Sequence, residues 1–292
     1  MDRRDIIKGL GGAAALSGAA ATAARAEDEA HPSPPDLGPY GRARAAQNPE
    51  LPQLRDVQPM PDDYFTPNRF AGKTVIVTGC ARGMGRGACQ RLAREGARVV
   101  GVDWIEDQGR ETIELLRADG AEGIFVPGDV GTEETCARMV EVAVEEFGGV
   151  DAALNNAGVM DGGFPGDPVD FENQRDLLFA PIHEASLEYW ERVHRSNTTG
   201  VFLSLRSELR QMIVQGTGGA IVNVGSIAGL TGLSGNPAYS SSKHAVTGLT
   251  RAAAIDYAPY GIRVNSVKGF SPWFRRHRIW DLRLRQCPRS AY

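Results

Sequence analysis

Short hydrophobic segments alternate with longer amphipathic segments along the middle of the chain. The hydrophobic segments are rich in β-branched residues and predict strands at 74–78, 97–103, 123–127, 150–154, 219–224 and 262–267. The segments between them predict helices near 84–95, 108–119, 132–147, 187–214 and 238–257. This alternation predicts a single α/β domain with a doubly wound parallel sheet, covered by helices on both faces.

The N-terminal part of the chain has a different composition. Residues 1–26 begin with a basic stretch that contains Arg3 and Arg4, continue Gly/Ala-rich and end in a small-x-small cleavage pattern. This layout predicts a twin-arginine-like export signal and a periplasmic location; the alternative is an Ala-rich helix of a cytoplasmic protein. Residues 27–69 are Pro-rich, which disfavours helix and central strand, and they form an extended arm or a disordered tether.

Composition and charge restrict the class of protein. The 292 residues, 42% of them hydrophobic and 23% charged, are enough to bury a substantial core. No hydrophobic stretch is long enough for a stable membrane span. The net charge of −4 divides into +5 for residues 270–292 and −9 for the rest, and an acidic body disfavours nucleic-acid binding.

The four cysteines have no CxxC spacing, so we expect neither a metal site nor a disulfide framework. We expect Cys80, Cys89 and Cys136 to pack as small core or turn residues.

A glycine-rich turn joins the first predicted strand to the first predicted helix. Gly79, Gly83 and Gly85 let the backbone approach a diphosphate, whose charge the helix N-terminus can meet. Asp103 ends the second strand, where a carboxylate can hold both ribose hydroxyls of NAD and repel the extra phosphate of NADP. Arg82 points weakly towards NADP, because a basic residue there would pair with a 2′-phosphate. The pattern favours NAD; the alternative is a plain turn with an Asp that caps the next helix.

A second candidate site lies on the last predicted helix. Tyr239 and Lys243 are four residues apart, so their side chains share one face of that helix. A nearby ammonium would lower the pKa of the phenol and make it a proton donor and acceptor for an alcohol or a carbonyl. Ser226 follows the fifth strand, whose end opens onto the ligand crevice of a parallel sheet. The alternative for the Tyr–Lys pair alone is a solvated helix face.

Together, these motifs resemble those of the classical short-chain dehydrogenases/reductases in kind and order. The similarity runs from about Phe70 to Val267 and implies a single Rossmann-type domain over 70–269. It also implies hydride transfer between NAD and a secondary alcohol or ketone, in a homo-oligomer if the C-terminal region permits. The motifs that carry it are the turn from Thr78 to Gly85, Asp129-Val130, Asn155-Asn156-Ala157-Gly158, Ser226 and the Tyr239–Lys243 pair.

The resemblance assigns roles to individual residues. Tyr239 would be the general acid/base, Lys243 would lower its pKa and bind the nicotinamide ribose, and Ser226 would bind the substrate oxygen. Asn197 would hold a water that relays protons past Lys243. The residues that would bind the cofactor are Gly79, Arg82, Gly83, Met84 and Gly85 at the diphosphate, Asp103 at the adenosine ribose, Asp129 and Val130 at the adenine, and Asn156 at the ribose region, with Tyr239 and Lys243.

Two departures from the family pattern lie near the substrate pocket. Gly225 stands where many relatives have a second Ser, which slightly loosens the strand end. The segment 159–189 is longer than usual and contains Phe164, Phe171 and Phe179. These side chains would line an apolar pocket, or the segment would be a surface or subunit-contact loop.

The third departure is at the C-terminus. Residues 270–292 lack the Pro-Gly turn, helical lid and last strand with which relatives continue, so we expect an atypical, truncated end without the usual last strand. The alternative function is therefore a catalytically impaired protein that still binds the cofactor. An epimerase or dehydratase using the same Tyr–Lys pair is a further alternative. The sequence does not identify the substrate.

Overall fold

A computed structural model describes residues 64–161, 173–174, 176–178 and 180–269. In this part of the chain, six strands form one parallel sheet in the order β3-β2-β1-β4-β5-β6. The order reverses between β1 and β4, where a ligand crevice opens at the carboxyl ends of the strands. The strands are β1 Thr74–Thr78, β2 Arg98–Asp103, β3 Gly123–Pro127, β4 Ala152–Asn155, β5 Gly219–Val224 and β6 Ile262–Val267.

Helices connect successive strands, as the alternation predicts. They are α1 Gly83–Arg94, α2 Glu106–Ala118, α3 Glu133–Phe147, α4 Leu187–His194, α5 Gly200–Gln215 and α6 Pro237–Tyr257. The segment predicted as one helix over 187–214 is helical throughout, but a π-helical turn at Arg195–Thr199 separates α4 from α5. Helices in the described residues are neither long nor apolar enough to cross a membrane.

The core lies in two layers, one on each face of the sheet. Alternate residues of β1 face opposite layers: Val75 and Val77 pack with α1 and α2, and Ile76 packs with α3, α5 and α6. Cys80 and Cys89 lie in the first layer and Cys136 in the second, each buried as a free thiol. The predicted doubly wound α/β fold is therefore confirmed.

The last residues of the Pro-rich segment contact this domain. Arg69 forms an ion pair with the buried carboxylate of Glu95 at 3.2 Å, and the backbone N–H of Thr66 donates to the same carboxylate at 3.1 Å. Four predictions concern residues outside those that the structure describes: the export signal at 1–26, the arm up to 63, the three Phe at 164, 171 and 179, and the tail at 270–292.

Candidate active site

The turn between β1 and α1 is shaped to hold a diphosphate. Gly79 and Gly83 have φ values of +72° and +56°, which favour glycine, and a Cβ on Gly85 would overlap the carbonyl oxygen of Gly79. Helix α1 begins at Gly83, and the residue before it, Arg82, makes no side-chain cap. The first backbone N–H groups of α1 therefore lack a capping side chain, at the positive end of the helix dipole. These features fit the diphosphate of a dinucleotide cofactor.

Asp103 lies beside this turn at the end of β2. Its Oδ2 accepts from the backbone N–H of Ala81 at 2.9 Å, and its Oδ1 accepts from that of Ile105 at 3.0 Å. The carboxylate is nearly buried and fixed in orientation, with lone pairs left for ribose hydroxyls. Arg82 and Met84 are exposed at the same turn. The two groups that would discriminate NAD from NADP thus differ in their surroundings: two backbone N–H groups hold the carboxylate of Asp103, whereas Arg82 is exposed to solvent.

Asn156 fixes the turn from its other side. Its Nδ2 donates to the carbonyl oxygens of Thr78 and Gly79 at 3.1 and 3.2 Å. The hydroxyl of Thr78 in turn accepts from the backbone N–H groups of Asn156 and Ala157 at 3.0 and 3.1 Å. The structure therefore places the Asn156 amide on the glycine turn, next to the predicted ribose region. The sequence alone predicts no individual role for Thr78. Its position as the last residue before the glycine turn is the signal that could have indicated a role in fixing that turn.

Asp129 and Val130 follow β3, where the adenine was predicted to bind. The carboxylate of Asp129 accepts from Nε of Arg195 at 2.8 Å and from the backbone N–H of Gly131 at 2.8 Å. Val130 is buried, with its side chain against Gly200. Sequence reasoning missed Arg195, since no spacing rule links a residue that follows β3 with one on the π turn 66 positions away.

Ser226 and Tyr239 meet at the carboxyl end of β5. The Ser226 hydroxyl lies near enough to the phenol of Tyr239 to lower its pKa, and Ser226 Oγ accepts from the backbone N–H of Ala228 at 3.2 Å. Burial raises the pKa of Tyr239, and the Ser226 hydroxyl lowers it by less, so the net shift is upward. This direction is opposite to the one predicted from the Tyr–Lys spacing, because desolvation of the phenol dominates.

Lys243 is buried one helical turn further along α6. Its Nζ donates to the carbonyl oxygen of Val224 at 2.8 Å and lies 5.7 Å from the ring centroid of Tyr239. Burial lowers the pKa of Lys243 to about 8, because desolvation disfavours the charged ammonium. The ammonium is thus held at the sheet end, close to the phenol and still largely protonated at neutral pH.

Asn197 lies in the π turn between α4 and α5. It is fully buried: its Oδ1 accepts from the backbone N–H of Val159, and its Nδ2 donates to the Val159 carbonyl, both at 2.8 Å. The same Nδ2 donates to Ser242 Oγ at 3.0 Å. A Cβ on Gly158 would lie 2.9 Å from Asn197 Oδ1 and 3.5 Å from Lys243 Nζ, so both side chains approach this glycine closely. The π turn, a feature often found at functional sites, thereby ties the loop after β4 to α6.

The fold brings the predicted chemical groups to one edge of the sheet. Four side chains surround the carboxyl ends of β4 and β5, and the glycine turn lies at the neighbouring end of β1. The arrangement offers a hydroxyl pair to an oxygen of a substrate, a cation behind it, and a cradle for a dinucleotide. The four side chains are those of Asn197, Ser226, Tyr239 and Lys243.

Comparison with known proteins identifies the family of this chain. A family model described as short chain dehydrogenase matches residues 73–269. The chain is 37% identical to a trans-4-hydroxycyclohexanecarboxylate dehydrogenase of Sinomonas cyclohexanicum, over 68% of this chain and 72% of the relative. It is 38% identical to a cyclopentanol dehydrogenase of Comamonas testosteroni, with the same coverage of 68% and 72%.

A solved structure shows the same fold. NAD+-bound xylitol dehydrogenase superposes with a TM-score of 0.62 and 33% identity, over 71% of this chain and 75% of that one. The matched region contains the glycine turn and the Ser226, Tyr239 and Lys243 side chains. The chain therefore belongs to the short-chain dehydrogenase family of oxidoreductases.

Proposed function

We propose that the protein is a NAD-dependent dehydrogenase that interconverts a secondary alcohol and the corresponding ketone. The observation that carries this proposal is the position of Ser226, Tyr239 and the buried Lys243 together at the sheet end next to the glycine cradle, with Lys243 Nζ 5.7 Å from the ring centroid of Tyr239. When bound, the nicotinamide ring of the cofactor supplies the hydride acceptor or donor.

Tyr239 and Ser226 handle the proton and the oxygen of the substrate. In alcohol oxidation, Tyr239 Oη takes the proton of the substrate hydroxyl; in ketone reduction, it returns that proton. Ser226 Oγ donates a hydrogen bond to the same oxygen and stabilises the negative charge that develops there. The fixed ammonium of Lys243 favours the phenolate and so opposes the larger effect of burial on the phenol.

Asp103 supports the choice of NAD over NADP. A 2′-phosphate on the adenosine ribose would lie against a carboxylate that two backbone N–H groups hold in place. Moving the carboxylate away would break both hydrogen bonds, so it cannot relax cheaply. Arg82 is exposed, so solvent screens its charge and it offsets only part of this repulsion.

The substrate class that fits best is an apolar, ring-bearing secondary alcohol. Ile227 and Leu230 follow β5, Val267 is the last residue of β6, and each is more than 40% exposed. Apolar side chains exposed beside a reactive hydroxyl pair favour a hydrocarbon substrate. Two relatives are named for cyclohexane and cyclopentane alcohols, which agrees with this surface.

Turnover tests this proposal directly. Purified protein is mixed with NAD+ or NADP+ and with cyclopentanol, cyclohexanol or xylitol, and formation of the reduced cofactor is followed by absorbance. We expect kcat/KM for a cyclic alcohol to exceed that for xylitol by about tenfold or more, as an apolar pocket would require, and NAD+ to be preferred. Loss of turnover with every alcohol and ketone, despite cofactor binding, would instead support a catalytically impaired, cofactor-binding protein.

We further propose that residues 1–26 direct twin-arginine export to the periplasm, since they combine the paired Arg3 and Arg4 with a small-x-small end. Retention of an Arg3→Lys, Arg4→Lys double variant in the cytoplasm would support export, and equal periplasmic amounts of both proteins would contradict it.

A homo-oligomer is also proposed, because Val214 on α5 and Ile255 on α6 are highly exposed apolar residues. Sedimentation as a monomer would contradict this second proposal.

A further inference from the structure

A buried carboxyl group lies on α5 behind the candidate active site. Glu208 has 0% of its surface exposed. Its Oε2 accepts from Asn155 Nδ2 at 3.1 Å, and its Oε1 has no hydrogen-bond partner among the described residues. A buried acid with so few partners is costly to the fold. Its presence therefore calls for a reason other than stability.

The hydrogen bonds of Glu208 continue across the sheet. Asn155 Nδ2 also donates to Asn223 Oδ1 at 3.0 Å, which joins β4 to β5. Asn223 Nδ2 donates to Thr250 Oγ1 at 3.0 Å, and Thr250 donates to the Val246 carbonyl on α6 at 2.7 Å. A buried polar chain thus runs from α5 through both strands to α6. We refer to Glu208, Asn155, Asn223 and Thr250 as the polar chain.

Each strand residue of the polar chain directly precedes a residue of the candidate site. Asn155 precedes Asn156, whose amide holds the glycine turn. Asn223 precedes Val224, whose carbonyl oxygen holds the ammonium of Lys243. The spacing of the ends of β4 and β5 therefore sets where the cofactor turn and the ammonium stand relative to each other.

The surroundings of Glu208 favour its neutral form. β4, β5 and α6 present uncharged members of the polar chain, and the titratable side chain that interacts with Glu208 is Cys136 on α3. Burial raises the pKa of Glu208 to about 7, and the hydrogen bond from Asn155 lowers it by less. An ionised carboxylate there would have no compensating cation among these groups, so beyond the hydrogen bond from Asn155 its charge would be stabilised only by water entering the site.

We propose that Glu208, in its neutral form, is a positioning residue that holds the ends of β4 and β5 in the arrangement that the cofactor turn and Lys243 require. Ionisation strengthens the hydrogen bond from Asn155 but leaves the buried charge otherwise uncompensated among the described residues, so water enters beside the ends of β4 and β5, loosens their packing and weakens cofactor binding. This inference rests on the proposed function, because the ligand whose binding it controls is the dinucleotide.

Two variants separate the hydrogen bond from the charge. Glu208→Gln keeps the shape and an acceptor for Asn155 but does not ionise, and Glu208→Leu removes the acceptor. The matched control is Glu145→Gln, the same substitution at an exposed position of α3. NADH affinity is measured by fluorescence at about pH 6 and about pH 8, on either side of the Glu208 ionisation. Hydrogen exchange of peptides covering residues 152–160 is measured without cofactor.

The expected result has three parts. When the pH rises from about 6 to about 8, the NADH affinity of the wild type falls about threefold or more relative to that of Glu208→Gln. Only the wild type acquires the buried charge over this interval. Comparison at equal pH cancels the titration of Lys243, which both proteins share. Glu208→Leu binds NADH about tenfold or more weakly at both pH values, as expected when Asn155 loses its partner, and its 152–160 peptides exchange faster. Glu145→Gln matches the wild type throughout.

Two results would overturn the inference: a Glu208→Leu protein with wild-type affinity and exchange, or a ratio of wild-type to Glu208→Gln affinity that is the same at both pH values. If Glu208→Leu does not fold, the Glu208→Gln comparison decides. Absence of NADH binding in the wild type would contradict the proposed function instead. The hydrogen exchange of the 152–160 peptides in the wild type and in Glu208→Leu would then still show whether Glu208 orders the end of β4.

Discussion

Burial sets the ionisation of the side chains in the candidate site. Tyr239, Lys243 and Glu208 are all largely withdrawn from water, and in each the neutral form is favoured by desolvation. The three groups differ in what opposes that effect: a hydroxyl for Tyr239, a carbonyl oxygen for Lys243 and an amide for Glu208. The ionisation of these groups therefore depends on how far each is kept from water, and a bound anionic cofactor would favour the charged form of Lys243.

The buried ammonium of Lys243 predicts a specific dependence of stability on pH. Its pKa falls from 10.5 to about 8 on folding, so between these values the unfolded chain binds more protons than the folded one. Stability must then rise with pH across this window. A Lys243→Met variant lacks this rise. The pH-dependent gain in the free energy of unfolding of the wild type therefore exceeds that of the variant by at most about 3 kcal/mol. Denaturant unfolding of both proteins at several pH values checks it; parallel curves would contradict the buried position.

Residue identities are visible in the sequence, but their partners are not. The spacing of Tyr239 and Lys243 on one helix face is a local property, and it was predicted correctly. The partners of Asp129 and of Asn155 lie on other elements, 66 and 53 positions away, and no local rule identifies them. A Glu in an amphipathic helix normally lies on the solvent side, so the sequence pattern does not indicate that Glu208 is buried.

The element that most directly shapes the cofactor site is the junction of β1 and α1. Its glycines are needed for different reasons: a positive φ at Gly79 and Gly83, and close backbone contact at Gly85. The sequence predicted this turn well, because glycine spacing reports backbone geometry. It did not predict the π turn before α5, since the same apolar periodicity fits a continuous helix.

Two glycine substitutions in α1 give opposite results. Gly85→Ala would place a Cβ against the Gly79 carbonyl, so we expect loss of NADH binding and a destabilisation of about 2 kcal/mol or more. Gly87→Ala meets nothing within 4 Å on the same helix and should stabilise the protein by about 0.5–1 kcal/mol. Thermal melting with and without NADH measures both effects. Wild-type NADH binding by Gly85→Ala would contradict the assigned cradle.

At the scale of the whole molecule, the parallel sheet explains how distant residues form one site. Residues from the ends of β1, β2, β4 and β5 meet because parallel strands present their carboxyl ends on one edge, at the point where the strand order reverses. Strand–helix alternation was sufficient to predict this sheet. The predicted lining of the substrate pocket by Phe164, Phe171 and Phe179 stays a prediction, because these three residues lie outside those that the structure describes.

The most direct test of the account is turnover by a Tyr239→Phe variant, compared with wild type and with Tyr260→Phe. Tyr260 is exposed on the turn between α6 and β6, at the amino end of that strand and so at the opposite edge of the sheet from the candidate site, which makes it the matched control. NADH affinity is measured in parallel, which shows that the site is still folded. We predict that Tyr239→Phe binds NADH within about threefold of wild type but loses kcat by about 100-fold or more, because the proton donor and acceptor is gone. Wild-type turnover by Tyr239→Phe would contradict the assignment of Tyr239 as the acid/base.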